Sequence, residues 1–322
     1  MDRRKFARSI AWGLLAAPFT AFAQLTGKKK HRIGTLTTAW APNNPANEGL
    51  RDGLTALGLH EGRDVEFDHR YTEGNPGAMP AAAAELVAIR VDLIFAPGDN
   101  AALAAARATK TIPIVFAGVA DPVASGIVRG LAHPGGNVTG VSNPTTELVP
   151  KRLEILKSLV PNLRRVWVVY DPMGGPETRA ELLRAQEAAR VLGLELLTRS
   201  VRTAEEARAA IVTIPPGDGA LTFGRVTSAD ISAQLVESHK LTVFGSAFWL
   251  DFGGLVAYGA DYRDVGAQAA RLVVKIFAGT PPRDIPVEGP DKIQLVINLK
   301  TAKALGLAIP PSVLLRADRV IQ

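Results

Sequence analysis

From residue 30 onward, short β-branched apolar runs alternate with longer stretches where alanine and leucine recur at helical spacing. This pattern predicts strands over 32–37, 64–70, 91–96, 112–117 and 137–142. A second series follows over 164–170, 194–201, 218–223, 241–246 and 255–259. Between them it predicts helices over 47–58, 78–90, 100–109, 145–159, 177–192, 203–212, 228–239 and 262–278. Strands separated by single helices build βαβ units with parallel sheets, and right-handed crossovers place helices on both faces. The two series echo each other: Leu57-Gly58-Leu59 and Leu192-Gly193-Leu194 each end the first helix of their series, with glycine as the usual left-handed cap. A chain of 322 residues accommodates two domains. The expected fold class is α/β, two doubly wound parallel-sheet lobes joined by a hinge near 142–146 and 246–252. Residues 24–143 plus about 248–282 would form lobe 1, and 144–247 plus about 283–322 lobe 2.

Two joined lobes enclose a cleft, and doubly wound sheets bind ligands at the carboxyl ends of their strands. The loops at those ends supply the candidate ligand-binding residues. They are Trp40 and Asn43 in "TTAWAPNN", Gly98, Asp99 and Asn100 in "APGDN", Asp121 in "AGVADP", and Ser142 in "VSNP". In the second series they are Tyr170 before "DPMGG", Phe223 and Arg225 in "FGRVTS", and Ser246 and Phe248 in "GSAFWL". Each loop alone reads equally well as turn chemistry, in which Gly, Asn, Asp and Ser satisfy their own backbone. Asp121, fixed by Pro122 at the end of a core strand, either lines the cleft or holds the loop that does. Arg225 either pairs locally with Asp230 or grips an acidic ligand through its bidentate fork. Asp99 or Asp121 would then meet a donor at the ligand's other end. That arrangement suits an aromatic or carboxylate-bearing metabolite.

Composition narrows the setting. Half of the formal charge of +6 sits in the first 23 residues, where Arg3, Arg4, Lys5 and Arg8 stand against Asp2. The remainder is too little to argue for nucleic acid. The same segment reads as an export signal with a charged start, an apolar stretch "IAWGLLAAPFTAF" and an Ala21-Phe22-Ala23 cleavage site before Gln24. Its apolar stretch is too short to span a bilayer. Arg3-Arg4 followed by Phe6 resembles a twin-arginine signal, with the general secretory route as the alternative. The chain contains no cysteine, which removes disulfides, thiol catalysis, thiolate metal sites and a lipid-anchoring cysteine. The expectation is a soluble protein, free in a periplasm and cleaved after Ala23.

Catalytic signatures are missing: there is no GxGxxG, GxxxxGK[ST], GxSxG or HExxH. The five histidines are scattered without ligand spacing. No cofactor, no metal and no enzymatic activity are expected.

Four segments resemble one family: "NEGLRDGLTALGLHEGRDVEF", "IPIVFAGVADPVASGIV", "GGNVTGVSNPTTELVPKRLEILKSLVP" and "VINLKTAKALGLAIPPSVLLRADRVIQ". They are similar to the substrate-binding proteins of ABC transporters of the tryptophan- and tyrosine-binding type, over essentially the whole mature chain. The resemblance implies a type I periplasmic-binding-protein fold that closes a small molecule between two hinged lobes. It also implies an ABC permease in the inner membrane as partner, and the chain is expected to be a monomer. One departure stands out: Gly224-Arg225-Val226-Thr227 replaces the short Thr/Asp/Asn-type loop of amino-acid-binding relatives, which leaves the ligand open. An exported receptor feeding a membrane sensor is the alternative function, followed by a two-lobe α/β enzyme. A repressor with the same lobes would carry a DNA-binding helix-turn-helix where this chain has an export signal.

Overall fold

The computed structural model describes residues 30–38, 44–173, 175–224 and 229–322. The expected export signal, Trp40, Asn43 and Arg225 lie outside the described residues. The first lobe runs β1 (His31–Thr37), α1 (Pro45–Ala56), β2 (Val65–Tyr71), α2 (Met79–Ala88), β3 (Leu93–Pro97), α3 (Asp99–Ala108), β4 (Ile114–Val119) and β5 (Val138–Ser142). Its five strands form one parallel sheet in the order β2-β1-β3-β4-β5. Strands β3 and β4 are buried on both faces, which is why they read as unbroken apolar runs. Successive side chains still divide between the faces. Leu93 and Phe95 pack with α1 and with α8 (Tyr262–Phe277), whereas Ile94 and Ala96 pack with α2 and α3.

The second lobe runs α4 (Thr145–Leu159), β6 (Arg165–Tyr170), α5 (Gly175–Val191), β7 (Glu195–Ser200), α6 (Ala204–Val212), β8 (Gly219–Phe223), α7 (Ala229–Glu237), β9 (Val243–Phe244) and β10 (Val256–Gly259). After α8 it is completed by β11 (Gln294–Asn298), α9 (Leu299–Ala304), α10 (Pro311–Leu314) and β12 (Arg319–Ile321). Strands β7-β6-β8 and β12-β11-β10-β9 are joined edge to edge by a parallel bridge between Gly219 and Leu241. Within this sheet β10 and β11 run antiparallel, and the other pairs are parallel.

The lobe boundaries differ from those expected. Residues 248–259 belong to the second lobe, because Leu250 and Val256 are buried in its cores and β10 pairs with β9 and β11. The second crossing is therefore at Gly259–Tyr262 and not at 246–252. The first lobe keeps α8 and continues to Glu288, whose neighbours Ile285 and Val287 are buried in first-lobe cores. Gly289 and Asp291 are still bonded to Gln268 of α8, and the third crossing follows at 292–293. The carboxyl-terminal strands were not anticipated.

Helices α1 and α8 are packed backbone to backbone. A side chain at Gly49 would stand 1.9 Å from the carbonyl oxygen of Arg263, and one at Gly266 would stand 2.1 Å from that of Ala46. Arg263 then reaches across to Asp52 at 2.6 Å and Glu48 at 3.5 Å. This contact sets the amino-terminal ends of both helices side by side at the cleft.

Candidate functional site

Between the lobes lies a cleft of about 770 Å³. Its first-lobe wall is made of helix beginnings. Asn44 caps α1, its Oδ1 accepting from the amides of Ala46 and Asn47 at 3.1 Å each, and its buried Nδ2 has no protein partner. Gly98, with φ of +82°, turns the chain from β3 into α3, a conformation that glycine adopts without steric cost. That turn presents Asp99 and Asn100 to the cleft. Asp99 Oδ1 accepts from the amide of Ala120 at 3.2 Å. Its surface is open to the water of the cleft, although protein atoms surround it on most sides. That desolvation pushes its carboxyl above the ordinary value, the Ala120 bond opposes the rise, and Asp121 adds to it.

The second-lobe wall is aromatic. Phe223, at the end of β8, is buried at the cleft floor. Ser246 is fully buried and caps a 3-10 turn, Ala247–Leu250, by accepting from the amide of Phe248 at 3.4 Å. The turn projects Phe248 and Trp249 into the cleft, their ring centroids 5.0 Å apart and edge to face. Phe252 and Tyr262 approach Phe248 at 5.1 and 6.4 Å. The indole N–H of Trp249 donates to the Tyr262 hydroxyl. Burial raises the Tyr262 pKa, while Arg152 and the Trp249 bond pull it down.

Arg152, from α4, lines the cleft beside this wall and is 8% exposed. Its Nε donates to the carbonyl of Tyr258 at 2.9 Å, whereas its buried Nη2 has no hydrogen-bond partner. Burial lowers its pKa and the nearby Glu181 carboxylate raises it. Arginine's high ordinary pKa keeps it cationic all the same. Asn143, at the first crossing, donates its amide to Val119 O at 2.8 Å and keeps a buried, unpartnered Oδ1.

Of the residues expected at the site, Gly98, Asp99, Asn100, Phe223 and Phe248 line the cleft. Four do not. Asp121 closes its own turn, accepting from the amides of Val123 (3.1 Å) and Ala124 (2.8 Å), so it fixes the loop without lining it. Ser142 is held at the first crossing by its amide and hydroxyl donating to Glu288 O at 2.8 and 3.2 Å. Tyr170 packs against the second-lobe core, and Ser246 is consumed as a cap. Trp249, the aromatic beside Phe248 in the "GSAFWL" loop, lines the cleft as well, and Asn44, Asn143, Arg152, Glu181 and Tyr262 line it without having been singled out as binding residues. Asn44 and Asn143 stand within the quoted "TTAWAPNN" and "VSNP" loops, whereas Arg152, Glu181 and Tyr262 belong to helices and carry no loop signal. No group of three or more His, Cys, Asp or Glu that could hold a metal occurs among the described residues.

The ABC transporter substrate binding protein family model matches residues 43–321 of this chain. The chain belongs to that family. The tyrosine-binding protein of Clostridioides difficile (strain R20291) is 28% identical over 290 residues, covering 87% of this chain and 82% of that protein. The structure of a conserved domain protein from Vibrio cholerae aligns with a TM-score of 0.80 and 29% identity, over 91% of this chain and all of the other. An ABC domain from Streptococcus pneumonia, solved in complex with L-Trp, aligns at 0.78 and 28% identity with the same coverage. A more distant solute binding protein from Agrobacterium vitis, at 13% identity and a TM-score of 0.58, shares the fold. This substrate-binding protein thus has the type I periplasmic-binding fold, two lobes around a solute cleft.

Proposed function

We propose that this substrate-binding protein captures an aromatic α-amino acid and delivers it to an ABC permease. The observation that carries the reading is an aromatic wall, Phe248 and Trp249, placed in the same cleft as charges of both signs, Asp99 and Arg152. Ring stacking and edge-to-face packing favour an aromatic side chain, and a cleft with both charges suits a zwitterion. The tyrosine-binding relative and the L-Trp complex support the same ligand class. We further propose that Met1–Ala23 directs export to the periplasm and is removed there, and that the mature chain works as a monomer without catalysing a reaction.

Calorimetry on the mature chain with L-tyrosine, L-tryptophan, L-phenylalanine and L-leucine tests the ligand. Saturable binding of at least one aromatic member, with L-leucine weak or silent, is the expected result. Silence from all three aromatic amino acids would overturn the reading. Mass spectrometry of periplasmic material should find a chain beginning at Gln24; a chain beginning at Met1 would refute cleavage. Replacing Arg3-Arg4 with Lys-Lys should block export if the twin-arginine route is used.

A further inference from the structure

We propose that Arg152 is the residue that takes the ligand's carboxylate, gripping it from the second lobe through Nη2. The inference rests on the amino-acid reading of the cleft and names the group that would read its acid. Buried donors are ordinarily paired, yet Arg152 uses Nε on Tyr258 O at 2.9 Å and leaves Nη2 unpartnered beside the cleft. Backbone closes on that end of the guanidinium, and the close fit depends on two glycines. A side chain at Gly245 would come within 3.1 Å of Nη2, and one at Gly259 within 3.3 Å. The acidic groups facing it are Glu181, Tyr258 and Tyr262. The fork of a guanidinium matches a planar carboxylate in shape as well as charge. Tyr262 also contacts the aromatic wall through Phe248 and Trp249. A carboxylate on Arg152 therefore lies next to the place where an aromatic ring would pack.

The test compares three probes on the parent chain, Arg152→Gln and Arg152→Lys: an aromatic amino acid (L-tryptophan or L-tyrosine), its carboxamide, and the decarboxylated amine. The amide and amine keep the ring and ammonium but lose the acid. The parent should prefer the acid strongly. Arg152→Gln should weaken acid binding about 30-fold or more, as expected for removing one partner of a buried charge pair. It should leave amide binding within about threefold, because the amide never used the charge. Arg152→Lys should recover only part of the acid preference. A merely structural Arg152 would lower acid and amide together, and that outcome overturns the assignment. So does an Arg152→Gln variant that binds the acid as tightly as the parent. Should Arg152→Gln fail to fold by circular dichroism, the parent alone still decides: equal affinity for acid and amide refutes a carboxylate grip. If the parent binds none of the three probes, the aromatic amino-acid reading fails and the assignment falls with it. If the parent binds the acid and Arg152→Gln does too, only the assignment falls.

Discussion

Asp99 and Asp121 both follow core strands of the first lobe, and their side chains are used in opposite ways. Asp121 spends its carboxylate on two backbone amides of its own turn, the bland outcome that an Asp-Pro pair always permits. Asp99 accepts from the Ala120 amide, and its pKa is raised mainly by the protein packed around it. A raised carboxyl pKa means that the folded state favours the protonated form. This contribution to stability is complete below the ordinary carboxylate pKa and is lost as pH rises through the raised value. Asp99→Asn should therefore melt slightly higher than the parent at neutral pH and show no advantage in acid. The same substitution should weaken binding of an aromatic amino acid at neutral pH, because the ionised carboxylate is the natural partner of an ammonium. In the parent, affinity should fall as pH drops through the raised Asp99 value, and in Asp99→Asn that dependence should vanish. Identical pH profiles from titration calorimetry would remove Asp99 from ligand contact. Asp99 was legible from sequence because it stands in a loop at a strand's carboxyl end. Arg152 was not, because it lies inside α4, where a charged residue reads as solvent-facing. The placement of β10 in the second lobe, where the sequence reading puts residues 248–282 in the first, sets Tyr258 and Gly259 against it.

The helices α1 and α8 show how distant segments build one wall. Gly49 and Gly53 lie one helical turn apart on α1, and side chains there would meet the α8 backbone at 1.9 and 2.6 Å. Glycine inside a helix is ordinarily destabilising relative to alanine, so propensity alone predicts that Gly49→Ala strengthens the protein. The contact predicts the reverse. A methyl group 1.9 Å from Arg263 O must push the helices apart, and overpacking of this kind costs about 1–3 kcal/mol. Gly49→Ala should lower the midpoint of urea unfolding and, by shifting Asn44 and Tyr262 relative to each other, weaken ligand binding as well. A midpoint at or above that of the parent would show that the helices separate freely. Elements of this kind were visible in the sequence as periodic stretches, and most predicted strands and helices occur within a few residues of their expected bounds. What periodicity did not convey was membership. Strand β10 reads the same whichever lobe it joins, and only pairing with β9 and β11 decides it. The short strands β11 and β12 sit among prolines and brief helices, where no long period develops.

Three segments cross between the lobes, at 142–145, 259–262 and 292–293. The last is clamped on its first-lobe side. Glu288 is held by Arg271 at 3.0 Å and Gln268 at 3.0 Å, and its backbone pairs with Gly140 and Ser142. The clamp continues to Asp291: Gly289 O accepts from Gln268 Nε2 at 2.8 Å, the Asp291 amide donates to Gln268 Oε1 at 2.9 Å, and its carboxylate pairs with Arg271 at 2.9 Å. Bending is therefore confined to the few residues after Asp291, as hinge motions generally require. The cleft's polar groups are divided between the lobes: Asn44 and Asp99 stand on one, Arg152 and Glu181 on the other. A ligand that satisfies both sets binds the closed arrangement better than the open one and shifts the population toward it. The unmet groups Asn44 Nδ2, Asn143 Oδ1 and Arg152 Nη2 give the ligand something to offer in return for closure. A fully compact chain of the length left after removal of residues 1–23 has a radius of gyration of about 19 Å, and an open cleft lifts it above that. Small-angle scattering of the mature chain should show the radius falling toward the compact value as an aromatic amino acid saturates the site. Arg152→Gln should close less than the parent at matched occupancy, because one lobe has lost its grip on the ligand. A radius that stays constant at saturation would mean that the lobes are already set for the ligand, and that recognition here proceeds without hinge motion.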